Sequence, residues 1–434
     1  MTADADRWIA HAQSLVEERA LRDLLVELIA IPAPTGGEGP FAEYLSSLLK
    51  AAGMEASTQP LGGSRANAIG VLPGHVPSAR SLMLYAAIDT HLSGDDDVDA
   101  PFLNGSRRAD MLPRAEVRDD GIVLGLGAGN PKAHVASIVR AGQIAAEAGA
   151  PLAGDLVVAL CAGGMPMGGL DPDPERGHLI GCERLLAEGP RVDCAVVGKP
   201  GWNVSWEEAG YTWYEIEIAG NPGYAGSRHK VPYRNPLLPA AELVGRLEEW
   251  VAGYTARNAS GQVEPHGVVS AIHGGTSRAL ANTPGWCRVY ADLRHSPRMA
   301  PADADAELGA FLEEIAAELD DFQLTWRRIA QVEAHEGPGR GPLFDLAVRA
   351  WEQIEGSEHE VVGDNSGASE ANLLRRAGIE TVKVGLPKVA APGLISDFHM
   401  GMDSADPRSM VLYTRFLLEV IGRICSPAAV EAVA

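Results

Sequence analysis

With 434 residues, 46 % of them hydrophobic and 22 % charged, the chain has the composition of a globular protein with room for two or three domains. A formal net charge of −22 argues against nucleic acid or an anionic membrane surface as partner, since both call for a basic face. Cys161, Cys182, Cys194, Cys287 and Cys425 are widely spaced and form no CxxC, which is reduced, cytoplasmic usage rather than a disulfide framework. The opening residues 1–10 include Asp4, Asp6 and Arg7 and no long apolar run, so no signal peptide is expected, and the stretch 156–170 is too short and glycine-rich to span a bilayer.

In chain order, Phe41, Tyr44, Leu45, Leu48 and Leu49 recur at helical spacing and stop at Gly53. Residues 82–88 form a continuous apolar run, as in a strand buried on both faces. Pro131 opens a helix whose buried stripe is Val135, Ile138, Val139 and Ile144. Residues 156–161 and 194–197 read as two further buried strands. Near the end, a helix over 371–376 stops at Gly378 and a strand follows over 379–384. Helices alternating with buried strands predict an α/β domain with a largely parallel sheet.

The middle of the chain has a different texture. Residues 211–218 alternate polar and apolar, the pattern of a half-buried strand. A helix over about 237–250, strands near 267–272 and 286–293, a helix over about 302–319 and a strand over 322–329 complete a β-α-β-β-α-β order, which is ferredoxin-like. The expected organisation is a catalytic-type α/β domain built from 1–203 and 335–434, with an inserted ferredoxin-like α+β lid at 204–334.

Several motifs then converge. The opening LLVELIAIPAPTGGEGPFAEYLSSLLKAAGMEA, the strand LMLYAAIDTH, the glycine-rich GLGAGNPKAH, the segment ANTPGWCRVYADLR, and GIETVKVGLP followed by DFHMGMDSADP keep one order and spacing over nearly the whole chain. In this the sequence resembles the zinc-dependent deacetylases and exopeptidases, the family of acetylornithine deacetylase, succinyl-diaminopimelate desuccinylase, aminoacylase and the carboxypeptidase G type. The resemblance implies two zinc ions held by a histidine of an H-x-D strand, a bridging aspartate, a Glu-Glu pair, a later acid and a final histidine.

Carried over position by position, that set is largely missing. The first histidine falls on Ala87, with its partner kept as Asp89. The bridging aspartate falls on Asn130, with the motif lysine kept as Lys132. The Glu-Glu pair falls on Gly164 and Met165, and the later acid on Lys199. The last histidine is kept as His399. Alanine, glycine and methionine offer no hard ligand, and a lysine brings positive charge where a cation would sit. The expectation is therefore a protein with no cofactor and no metal-binding residues.

Polar groups nonetheless gather on the same loops. Lys199, His91, Asp89 and His399 are the candidate catalytic residues: Lys199 as an electrostatic group, His91 as a base oriented by Asp89, and His399 as an acid/base or substrate contact. For Asp89 the other reading is a structural acid bonding nearby backbone. The resemblance assigns substrate contacts to Asn282 and Arg294, and to Tyr224 at the position of a lid histidine. Arg228 and His229 in the basic stretch GYAGSRHKVPYRNP, Ser369 in GDNSGASEANL, and Asn130 and Lys132 complete the candidate binding set. Each of these has a plain structural reading as a cap, an ion pair or an exposed turn.

The function expected is that of a metal-independent enzyme cleaving an amide-type C–N bond of a small carboxylate-bearing molecule. A catalytically inactive binding protein or partner subunit is the alternative, and a single-metal amidohydrolase using His399, Asp89 and His91 or His229 is a third. A small carboxylate ligand and a homodimer through the inserted domain are the expected partners, the latter by resemblance alone.

Overall fold

The computed structural model describes residues 3–103, 108–165, 177–319, 321–337, 341–387 and 403–426. The chain divides into two compact units. One is Met1–Trp206 with Gly337–Val361 and Ser369–Ala434, and the other is Glu207–Glu336 with Val362–Ala368.

In the first unit, the strands Leu82–Ala87, Leu156–Cys161 and Cys194–Gly198 are buried at every residue. Unbroken apolar runs of this kind are stable only with cover on both sheet faces, and that condition selects a parallel arrangement with helical crossovers. The six-stranded sheet runs in the order Glu55–Gly62, Arg65–Leu72, Leu156–Cys161, Leu82–Ala87, Cys194–Gly198, Glu380–Val384. The last four pair in parallel, and the first two form an antiparallel hairpin attached to Leu156–Cys161. The helix Ala133–Glu147 buries Val135, Ile138, Val139 and Ile144 in the same core as Leu84, Val158 and Val196. The helix Pro407–Ile424 joins that core through Tyr413, Phe416 and Leu417. Its start is set by a proline in the first turn and by Asp406, whose side chain accepts from the Arg408 amide at 2.9 Å.

The second unit carries a four-stranded antiparallel sheet, ordered Gly267–Gly274, Trp286–His295, Gly210–Ala219, Gln323–Val332. Alternate residues Tyr214, Ile216 and Ile218 face Leu243 and Leu247 of the helix Leu237–Asn258 and Leu308 and Leu312 of the helix Pro301–Glu318. This is the β-α-β-β-α-β order expected of the insert. Where the chain enters and leaves this unit, Glu207 and Glu336 form an antiparallel bridge.

No helix among the described residues is long and apolar enough to cross a membrane. All five cysteines are buried and free of disulfides.

Candidate functional site

Parallel strands end together, and the loops leaving their carboxyl ends are where α/β sheets place chemistry. Here three such loops meet within the first unit, beyond Ala87, Cys161 and Gly198.

Asp89, fully buried, organises them. Its carboxylate accepts from the Gly164 amide at 2.6 Å, the Met165 amide at 3.1 Å and the Thr35 hydroxyl at 2.7 Å. These bonds fix the backbone after Leu156–Cys161, so the described geometry of Asp89 is that of an acid holding a turn. His91, two residues on, is partly exposed.

Gly164 is packed on three sides. A Cβ on this residue would lie 2.1 Å from the Ala87 Cβ, 2.5 Å from Glu370 Oε1 and 3.2 Å from Lys199 Nζ. Lys199 Nζ donates to the Gly164 carbonyl at 3.2 Å and stands 3.2 Å from Glu370 Oε2, with side-chain exposures of 11 % for the lysine and 1 % for the glutamate. Burial raises the Glu370 carboxyl above the usual carboxylate range, and the Lys199 charge opposes that rise. The nearby His134 ring is fully buried, and burial together with the Lys199 charge pushes its pKa down to about 3, so it stays neutral.

A second buried pair props the same region. Arg65 donates to both Glu38 oxygens, at 2.8 and 2.9 Å, with side-chain exposures of 2 % and 0 %. Its guanidinium stands 2.9 Å from where a Cβ on Gly163 would be.

The remaining candidates are dispersed. Lys132 donates to the carbonyls of Ile31 at 2.9 Å and Ile29 at 3.3 Å, and lies 5.3 Å from the centre of the Phe41 ring. It pins the end of the helix Glu18–Ile29, and burial, opposed by Asp403, brings its pKa down to about 7. Asn130 directs a buried Oδ1 that has no hydrogen-bond partner among the described residues. Ser369 Oγ accepts from the Ala371 amide at 3.2 Å, just before the short helix Ala371–Arg376. Its neighbour Ser366 belongs to the second unit, where it accepts from the His266 amide at 3.0 Å.

In that second unit Tyr224 pairs with Asn282 across a two-stranded ribbon, and both are exposed. Arg228 stacks on the Tyr233 ring at 4.0 Å, and His229 is exposed. Arg294 is already engaged, donating to Asp292 at 2.8 and 2.9 Å. His399 lies outside the described residues.

Glu370 is the residue that sequence reasoning passed over. It occurs in GDNSGASEANL, where attention fell on the serines and glycine as a helix start. An acid directly before the apolar Ala371, Leu373 and Leu374 was the only local signal, and its partner Lys199 is remote in sequence.

No model of a known protein family matches the chain. The succinyl-diaminopimelate desuccinylase of Stenotrophomonas maltophilia is 26 % identical over 380 residues, which cover 84 % of this chain and 90 % of that enzyme. Among solved structures, human carnosine dipeptidase 1 superposes with a TM-score of 0.72 at 14 % identity, covering 97 % of this chain and 98 % of that one. A dinuclear metal binding peptidase of the M20 family from Bacillus subtilis superposes with a TM-score of 0.60 at 14 % identity, covering 94 % and 98 %. The relatives of this chain are thus hydrolases of amide and peptide bonds.

These relationships correct the expectation of no cofactor. A dinuclear metal binding peptidase stands among the similar structures, so the family points to zinc or another metal. The described residues do not by themselves fit such a centre. Among them no three His, Cys, Asp or Glu side chains stand close enough to hold a metal, and the buried carboxylate of Glu370 already faces the Lys199 ammonium. Residues 166–176 and 388–402, the latter with His399, are outside this comparison. By sequence over most of its length and by fold over nearly all of it, the chain is similar to the zinc-dependent deacetylases and exopeptidases.

Proposed function

We propose that this protein hydrolyses an amide-type C–N bond in a small carboxylate-bearing molecule of the N-acyl amino acid kind, and that Lys199 stabilises the negative oxygen that develops when the carbonyl is attacked. The observation that carries the reading is the placement of Lys199, only 8 % exposed, beyond the end of Cys194–Gly198 and against the Gly164 turn. In a site closed to water an ammonium group acts far more strongly on a developing oxyanion than it does in solvent. The substrate class follows from the relatives, one of which is named for removing a succinyl group from diaminopimelate. Asp89 contributes by fixing the 164–165 backbone beside the lysine.

The test is release of free amine from a panel of N-succinyl, N-acetyl and N-carbamoyl amino acids and dipeptides. The protein is assayed as purified and again after zinc loading. Turnover of at least one class is expected, with a loss in kcat of roughly a hundredfold to a thousandfold in Lys199→Met, the size seen on removing one oxyanion donor. Full activity in Lys199→Met removes Lys199 from the mechanism, and no turnover in either metal condition removes the hydrolase reading.

A further inference from the structure

Glu370 has no part in the reaction as proposed, yet it is a fully buried acid beside the site. Its carboxylate is completely buried, and its charged contact is Lys199 at 3.2 Å. A carboxylate taken out of water is costly to keep ionised unless a counter-charge sits beside it. Space for it exists because residues 87 and 164 are alanine and glycine: a single methyl on Gly164 would fall 2.5 Å from Glu370 Oε1. Glu370 directly precedes the helix Ala371–Arg376, whose Ala371 and Leu374 are buried.

The ammonium it faces has three N–H donors. One is directed at the Gly164 carbonyl and one at Glu370, which leaves a third without a partner among the described residues. We propose that Glu370 is a positioning residue for Lys199: seated in the space left by Gly164 and Ala87, its carboxylate holds the lysine against the Gly164 carbonyl so that the third N–H is presented to a ligand oxygen. The consequence for turnover rests on the hydrolase reading above. The pairing itself does not.

The experiment separates the two. Lys50, Lys132, Lys199, Lys230, Lys383 and Lys388 are the lysines of the chain, so nitrogen-15 lysine labelling gives few ammonium signals, and loss of one in Lys199→Met assigns Lys199. In Glu370→Gln the Lys199 signal is expected to shift or vanish through exchange with solvent, and in Glu370→Asp to remain. Melting temperatures of Lys199→Met, Glu370→Gln and the double variant form a cycle. Each single variant strands one buried charge, so the double variant is expected to melt above both, and it is the variant that decides if a single one fails to fold. On a substrate that the wild type turns over, Glu370→Gln is expected to lower kcat by about tenfold to a hundredfold with KM nearly unchanged, the cost of a misplaced group, and Glu370→Asp to recover part of it. An unmoved Lys199 signal in Glu370→Gln, a double variant no more stable than the singles, or full kcat in Glu370→Gln overturns the proposal. If the wild type turns over nothing, the hydrolase reading fails, and the labelling and melting results still judge the pair.

Discussion

A single hydrogen atom in place of a methyl group decides the centre of this site. With Ala87, Glu370 and Lys199 all against Gly164, Gly164→Ala forces the loop or the ion pair to move. The expected cost is about 1–3 kcal/mol, the range for overpacking a filled interior, read from urea unfolding midpoints. A different residue-scale effect belongs to His295, which is fully buried at the end of Trp286–His295. Burial, with Arg294 adding a smaller push, takes its pKa down to about 4. The folded state therefore keeps the ring neutral, while the unfolded chain takes up a proton near pH 6.5. The contribution is complete above about pH 6.5 and is lost progressively as pH falls toward 4. Urea unfolding at pH 8 and pH 5 is expected to show this loss, and His295→Leu to show a smaller one. An equal loss in the variant would clear His295 of the effect.

Among the elements, those with a clean period were legible. The strand expected over 82–88 is Leu82–Ala87, and those over 156–161 and 194–197 are Leu156–Cys161 and Cys194–Gly198. The helix placed over 237–250 continues to Asn258, because Val251, Tyr254 and Thr255 extend its buried stripe. The hairpin Glu55–Gly62 with Arg65–Leu72 escaped notice. Its first strand has no buried residue and contains Pro60, so it lacks the apolar signature of an interior strand. That hairpin matters, since it brings Arg65 onto Glu38 at the start of the helix Gly39–Ala51. Arg65→Met leaves a buried carboxylate unpaired, and a loss of about 3–5 kcal/mol is expected from urea unfolding. The pair Glu38→Leu with Arg65→Met is expected to lose less than the single change. Equal losses would show that packing, rather than charge, holds the helix start to the strand.

At the scale of the whole molecule, two cores are separately complete. The second unit closes a four-stranded sheet over two helices, and its entering and leaving strands meet at Glu207 and Glu336. Residues 207–336 expressed alone are expected to melt cooperatively with the circular dichroism of an α+β fold; a featureless melt would show that this core needs the rest of the chain. The sequence by itself determined the order and kind of most elements, the inserted arrangement and the family resemblance, because periodicity records which face of each segment is buried and a chain-long order of motifs leaves few alternatives. It also pointed to Lys199, through a motif position. It did not determine which side chains meet. Asp89 finds the Gly164 amide because the sheet order sets Leu82–Ala87 beside Leu156–Cys161 and brings their trailing loops together, and Lys199 finds Glu370 because the helix Ala371–Arg376 leads into Glu380–Val384, which pairs with Cys194–Gly198. Those contacts depend on distances between segments far apart in the chain, and local spacing carries no record of such distances. The metal to which the family points came from neither source alone: the residues at the family's positions argued against it, and only likeness to a dinuclear metal binding peptidase restored it to consideration.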